Sequence, residues 1–214
     1  MSLTGTHHIF GGISETGIDN FLDVFFTARP HLLAYGTPFF AGDPSQVTLI
    51  DTSSLPVFLA GLQALISFSI PQVDITPPNA PGELLPPGAD EFTISTEVTI
   101  DFLCGPSDFG NRGDRAGHDI LLTFEVAALC KPIVVDSTPG TGSIGVSLVE
   151  VKIAGITSDG IEQILECILT RLLAQAFSRV TIPFHVFTLD GVSLTLQQGP
   201  VAADDQIEVF GDIS

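Results

Sequence analysis

Between Glu91 and Phe102 the chain reads EFTISTEVTIDF. Phe92, Ile94, Val98, Ile100 and Phe102 fall on one face of an extended backbone, and Glu91, Thr93, Ser95, Glu97, Thr99 and Asp101 on the other. Successive side chains of a strand point to opposite sides, so the pattern predicts a long antiparallel strand with one wet face and one face that must be covered. Such a strand needs neighbours. Two more long strands are expected at 119–130 and 143–156, after the loop GPSDFGNRGDRAGHD and the turn STPGTG. Upstream, Ala64, Ile66, Phe68 and Ile70 oppose Leu65, Ser67 and Ser69, again a strand period, within a segment at 64–76.

That last segment belongs to an uncharged stretch, 52–73, near the length of a bilayer span. Pro56, Gly61, Gln63 and Pro71 interrupt it, and the alternation favours a strand over a spanning helix. A short strand is expected at Val47–Asp51, after a connection carrying Gly36, Pro38, Gly42 and Pro44. TPPNAPGELLPPGAD at 76–90 is too proline-dense for a sheet. Near the C-terminus, FHVFTLDGVSLTL reads as strand, Asp-Gly turn and strand, and DQIEVFGDI as a last strand.

The cover for the apolar face is two helical patterns. In the first, Ile18, Phe21, Leu22, Phe25 and Phe26 keep helical spacing and Leu32 and Leu33 continue it; Ser14 is placed to cap it, and Pro30 to kink or end it. In the second, Ile161, Ile164, Leu165, Ile168, Leu169, Leu172, Leu173, Ala176 and Phe177 recur at i, i+3, i+4 and i+7. Asp159 and Glu162 have the spacing of a capping box, and Pro183 is the expected stop. The expected fold class is α+β, a long antiparallel sheet packed on two long amphipathic helices. Residues 1–214 are expected to form one module, with 1–12 a flexible or edge N-terminus.

Composition narrows the function. Seven Lys and Arg against 25 Asp and Glu give a net charge of −18. An acidic protein of this kind is not expected to bind nucleic acid or dock electrostatically on an anionic membrane, both of which need a basic footprint. Only 15% of residues are charged, and mean hydropathy is +0.44, so some apolar surface is expected to face a ligand, a partner or another subunit. Phe occurs 16 times, Tyr once and Trp never, which suits a dry interior better than a carbohydrate platform. The N-terminus, MSLTGTHHIFGG, lacks a basic region followed by an apolar run; synthesis in the cytosol is expected, with any export by a non-classical route.

No constellation of catalytic residues emerges. His7-His8 is a poor metal pair, because adjacent side chains diverge, and His31, His118 and His185 are isolated. Asp108, Asn111, Asp114 and Asp119 could supply oxygens to calcium, but their spacing matches no EF-hand. Arg112-Gly113-Asp114 is a tripeptide too short to carry weight, and the loop reads as a hydrated hairpin connection. There is no Gly-x-Ser-x-Gly elbow, and STPGTGS lacks the lysine and following helix of a phosphate loop. Cys104, Cys130 and Cys167 sit apart in apolar segments and read as small buried hydrophobes. The expectation is a non-enzyme with no cofactor, no metal and no catalytic residue.

GIDNFLDVFF, and IEQILECILTRLLAQAF leading through IPF to LDGVSLTL, together with the order of elements, resemble the tubular lipid-binding (TULIP) superfamily. That group includes bactericidal/permeability-increasing protein, the insect Takeout carriers and proteins of clostridial neurotoxin clusters. The resemblance implies a strongly curved sheet wrapped on a long helix, with acyl chains of a fatty acid or phospholipid in an elongated apolar cavity between them. The lining residues it implies are Phe21, Phe25, Phe92, Ile94, Val98, Ile164, Ile168 and Leu172. The residues leave a second reading open. In it the same side chains are ordinary core, and the chain is a structural or interaction subunit of a homo- or hetero-oligomeric assembly, associating through its strand edges.

Overall fold

The alternation at 91–104 builds the spine of the fold. In a computed structural model of the chain, this segment is a strand of thirteen residues, Phe92–Cys104. The structure describes residues 9–50, 63–75, 87–88, 90–104, 118–136, 142–154, 159–183, 194–203 and 205–213. In chain order the elements are β1 (Ile9–Ser14), α1 (Glu15–Thr27), β2 (Ala34–Gly36), β3 (Thr48–Leu49), β4 (Gln63–Phe68), β5 (Gln72–Asp74), β6 (Phe92–Cys104), β7 (His118–Asp136), β8 (Ser143–Ile153), α2 (Asp159–Phe177), β9 (Ile182–Pro183), β10 (Leu194–Ala203) and β11 (Gln206–Ile213). The proline-rich stretch from 76 to 86, the Arg-Gly-Asp loop, the Asp190-Gly191 turn and His7-His8 lie outside the described residues.

Eight strands form a long curved sheet in the order β3-β2-β4-β6-β7-β8-β9, with β5 also on β6. All its ladders are antiparallel except the two-residue pairing of β2 with β3. The segment expected as one strand at 64–76 is two. β4 pairs with Val98–Leu103 of β6 and β5 with Thr93–Ser95, and the chain leaves the ladder between them. Pro71 has no N–H to continue it. At the break, Ser69 donates its N–H to the Glu97 carbonyl and takes the Glu97 N–H on its hydroxyl. Thr96, a polar residue on the inner face of β6, is buried there with its hydroxyl donated to the Ser69 carbonyl at 2.8 Å. A buried hydroxyl without such a partner would be costly.

The second face of the sheet is drier than the alternation predicts. Thr93 of β6 is buried, and so are Ala127 and Leu129 of β7, which pair with Ser95 and Thr93. β10 runs against β7. The C-terminal strands do not extend the main sheet; β1, β11 and β10 form a sheet of their own, in which β1 pairs with β11 along its whole length. β10 follows an irregular course past Gly199, whose φ of +100° and approach to the Glu208 carbonyl suit only glycine.

Both helices lie on the inner face. Ile18, Leu22 and Phe26 of α1 and Leu165, Leu169, Leu172, Leu173, Ala176 and Phe177 of α2 join Phe92, Ile94, Val98 and Ile100 of β6 in one core. α2 has nineteen residues, as its periodicity predicts, but α1 has only thirteen, so the expectation of two long helices is not met by α1. Pro30 opens a separate 3-10 turn, Pro30–Leu32, and Leu33 enters the core from beyond it. α2 ends at Phe177, ahead of Pro183, with Ser178 Oγ donating to the Gln175 carbonyl. α1 also closes a strand edge: Asp19 and Glu15 accept the N–H groups of Val73 and Ile75 at 2.9 and 3.0 Å. Unpaired edges invite association, and these carboxylates occupy this one.

Ser14 caps α1 as expected, its Oγ accepting the Gly17 N–H at 3.2 Å. Ser14→Ala should therefore lower unfolding free energy by about 1 kcal/mol in a urea titration. An unchanged midpoint would mean that water serves the Gly17 amide equally well.

Candidate functional site

The apolar stripe of α1 is wider than the core it covers. Ile18, Leu22 and Phe26 point inward and are buried. Phe21 and Phe25, one turn apart, are half-buried on the flank, with ring centroids 5.7 Å apart. Val24 and Ala28, again one turn apart, are exposed, Val24 by 70%. Residues at i and i+4 stack on a helix face, so these two pairs make adjacent apolar ridges.

The ridges form one side of an open groove of about 950 Å³. Its other side is the end of α2 and the residues after it, through Gln175, Arg179 and Thr181. Arg29, His31 and Leu32 from the turn after α1, with Thr48 of β3, add to the described lining. The turn is tied down by Thr48, whose hydroxyl donates to the His31 carbonyl. The Arg29 guanidinium lies over the Phe25 ring, 4.5 Å from its centroid, a contact that orders an otherwise mobile side chain. Phe25 in turn meets Phe26 edge-on at 5.2 Å, which couples the groove to the core.

The residues expected to line one cavity are not brought together. Phe21 and Phe25 line the groove. Phe92 and Ile94 border a different space, an apolar void of about 20 Å³ between α1, the sheet and the segment after α2. That volume is about what one water needs, and its lining offers such a water little to bond. Val98 and Leu172 are buried in the core, and Ile168 is half-buried against it. Ile164 is half-buried on α2. Among the described residues, Phe92 and Ile94 thus border a small void where an elongated cavity between helices and sheet was expected, and a larger groove lies outside α1.

Arg29, Arg179 and Thr48 were not singled out by the sequence reading, since they are far apart and match no motif. Cys130 is buried as expected, and burial pushes its thiol well above the usual range. Cys167, by contrast, is exposed on the outer face of α2. The described part of Cys104 does not include its side chain. Among the described residues no three His, Cys, Asp or Glu side chains are grouped to hold a metal, and no helix is long and apolar enough to cross a membrane.

No family model matches the chain, and no curated protein matches it in sequence. Among solved structures, the chain is similar to the crystal structure of lipopolysaccharide binding protein, with 10% identity and a TM-score of 0.29. The match covers 72% of this chain and 32% of that one, a likeness too slight to carry an argument about either fold or ligand.

Proposed function

We propose that the chain is a non-enzymatic binding protein for an apolar ligand of the lipid class, held in the groove between the outer face of α1 and the end of α2. The observation that carries this reading is the unspent apolar face of α1. Phe21, Val24 and Phe25 line about 950 Å³ of open space, within the range of small-molecule sites. An apolar ligand there needs few polar contacts, because each buried methylene contributes about 0.8 kcal/mol. Phe21 and Phe25 are only partly covered by the core and Val24 is 70% exposed, so apolar surface is left facing the groove.

The test is a titration with a neutral long-chain alcohol, dodecanol, followed by thermal and urea unfolding. A ligand selective for the native state raises stability by about 2.7 kcal/mol at a hundred times its dissociation constant. Phe25→Glu should weaken binding by about tenfold or more, by placing a carboxylate on the apolar floor. Because Phe25 also touches the core, Val24→Glu, at an exposed position, is the companion variant and should act in the same direction. Binding that survives both substitutions would place the ligand elsewhere.

One observation favours the second reading, that of an assembly subunit. Ile120, Leu121 and Leu122 of β7 are consecutive and all exposed, so the sheet is apolar on both faces there. β8 pairs with β7 only from Val126 onward. No dodecanol binding, with a dimer that Leu121→Glu dissociates, would decide for that reading.

A further inference from the structure

We infer that the ligand of the α1–α2 groove is an anionic single-chain amphiphile, a long-chain carboxylate whose head group is held by Arg29 and Arg179. This rests on the proposed binding role of the groove and adds the charge of its occupant. The chain carries 25 Asp and Glu and only seven Lys and Arg, yet two of those seven line this groove and none of its described lining residues is acidic. A neutral ligand would not require that distribution. An anion would, because a net charge of −18 repels it everywhere the local field is not reversed.

The placement is chemically specific. Arg29 lies over the Phe25 ring, so its guanidinium is held where the apolar floor meets water. Arg179 follows α2 and faces the same space from the opposite wall. Guanidinium groups match a carboxylate with paired N–H donors, and they are more weakly hydrated than an ammonium, so they tolerate partial burial at the end of an acyl chain. His31 and Gln175 add two more nitrogen-bearing side chains to the described lining. An alkyl chain along Phe21 and Phe25 with its carboxylate at Arg29 and Arg179 satisfies both parts of the site.

The test compares dodecanoate with dodecanol, equal in chain length, by calorimetry below their aggregation limits at low salt. Dodecanoate should bind about tenfold or more tightly than dodecanol, and added salt should erode the difference. The Arg29→Gln, Arg179→Gln double variant should bring the two ligands close to parity, chiefly by weakening dodecanoate. Arg179→Gln alone, which leaves the Phe25–Arg29 stack intact, should remove part of the preference. Equal affinity of the native protein for both ligands would overturn the head-group assignment and leave the apolar-ligand reading standing. Binding of neither would overturn both. A second copy of the chain seated in the groove, seen as a dimer that Val24→Glu dissociates, would also overturn the assignment.

Discussion

Phe26→Ala should lower the unfolding free energy by about 3–5 kcal/mol, the largest loss expected from any single change on α1. Phe26 is 1% exposed and sits where α1 meets α2, its ring edge-on to Phe177 at 6.3 Å and to Phe25 at 5.2 Å. Truncation removes the apolar area and leaves a cavity that its neighbours cannot fill, because they belong to a helix and to a sheet held by long ladders. For a domain with a typical stability of about 5–15 kcal/mol, this is a large fraction. A urea titration should show a lower midpoint with an unchanged slope, since the surface exposed on unfolding is nearly the same. The Phe26→Ala, Phe177→Ala double variant should lose less than the sum of the singles, by about 0.5–1.5 kcal/mol for the shared ring contact. A loss below about 1 kcal/mol for Phe26→Ala would mean that α1 is not packed on α2 as described.

Phe26 is also where sequence and structure agree most closely. Its helical spacing, the Ser14 cap and the uninterrupted stripe of α2 come from local periodicity, and local periodicity survives in the fold. The alternation of β6 survives for the same reason, since a one-residue slip would turn Phe92, Ile94, Val98 and Ile100 out of the core. What the sequence concealed depends on distant partners. β2 has three residues, too few to show a period, and lies in a stretch that reads as a glycine- and proline-rich connection. β1 is defined by pairing with β11 at the other end of the chain. The groove was hidden for a related reason. Spacing marks Phe21, Val24 and Phe25 as apolar, but how much of a stripe the core covers depends on the short length of α1 and on where α2 ends. Arg29 and Arg179 become neighbours of one space only through that packing.

Tyr35 offers the second large effect, in alkali. It is the only tyrosine in a chain without tryptophan, so phenolate absorbance reports on it alone. Its side chain is buried in the core, T-shaped to Phe68 at 6.1 Å, and its hydroxyl donates to the Leu172 carbonyl of α2 at 3.2 Å. Burial pushes the phenol well above its ordinary value, because the charged form would lose its hydration. Ionisation would also remove the donor and set an anion against the carbonyl oxygen. The unfolded chain ionises near pH 10 and the folded chain only above it. The contribution of Tyr35 to stability is therefore fully present below about pH 10 and is lost as pH rises from there toward the folded value. Cys130 acts in the same sense but earlier, from about pH 8.5, where an unfolded thiol ionises and the buried one does not. Phenolate should thus be absent from the native protein past pH 10 and then appear cooperatively, together with the loss of far-ultraviolet circular dichroism. Tyr35→Phe should cost about 1 kcal/mol at neutral pH through the lost hydrogen bond, and its stability should fall less steeply above pH 10, so the two curves converge. A reversible, single-proton titration centred near pH 10 in the folded protein would show the phenol open to water and would remove Tyr35 from the contact between β2 and α2.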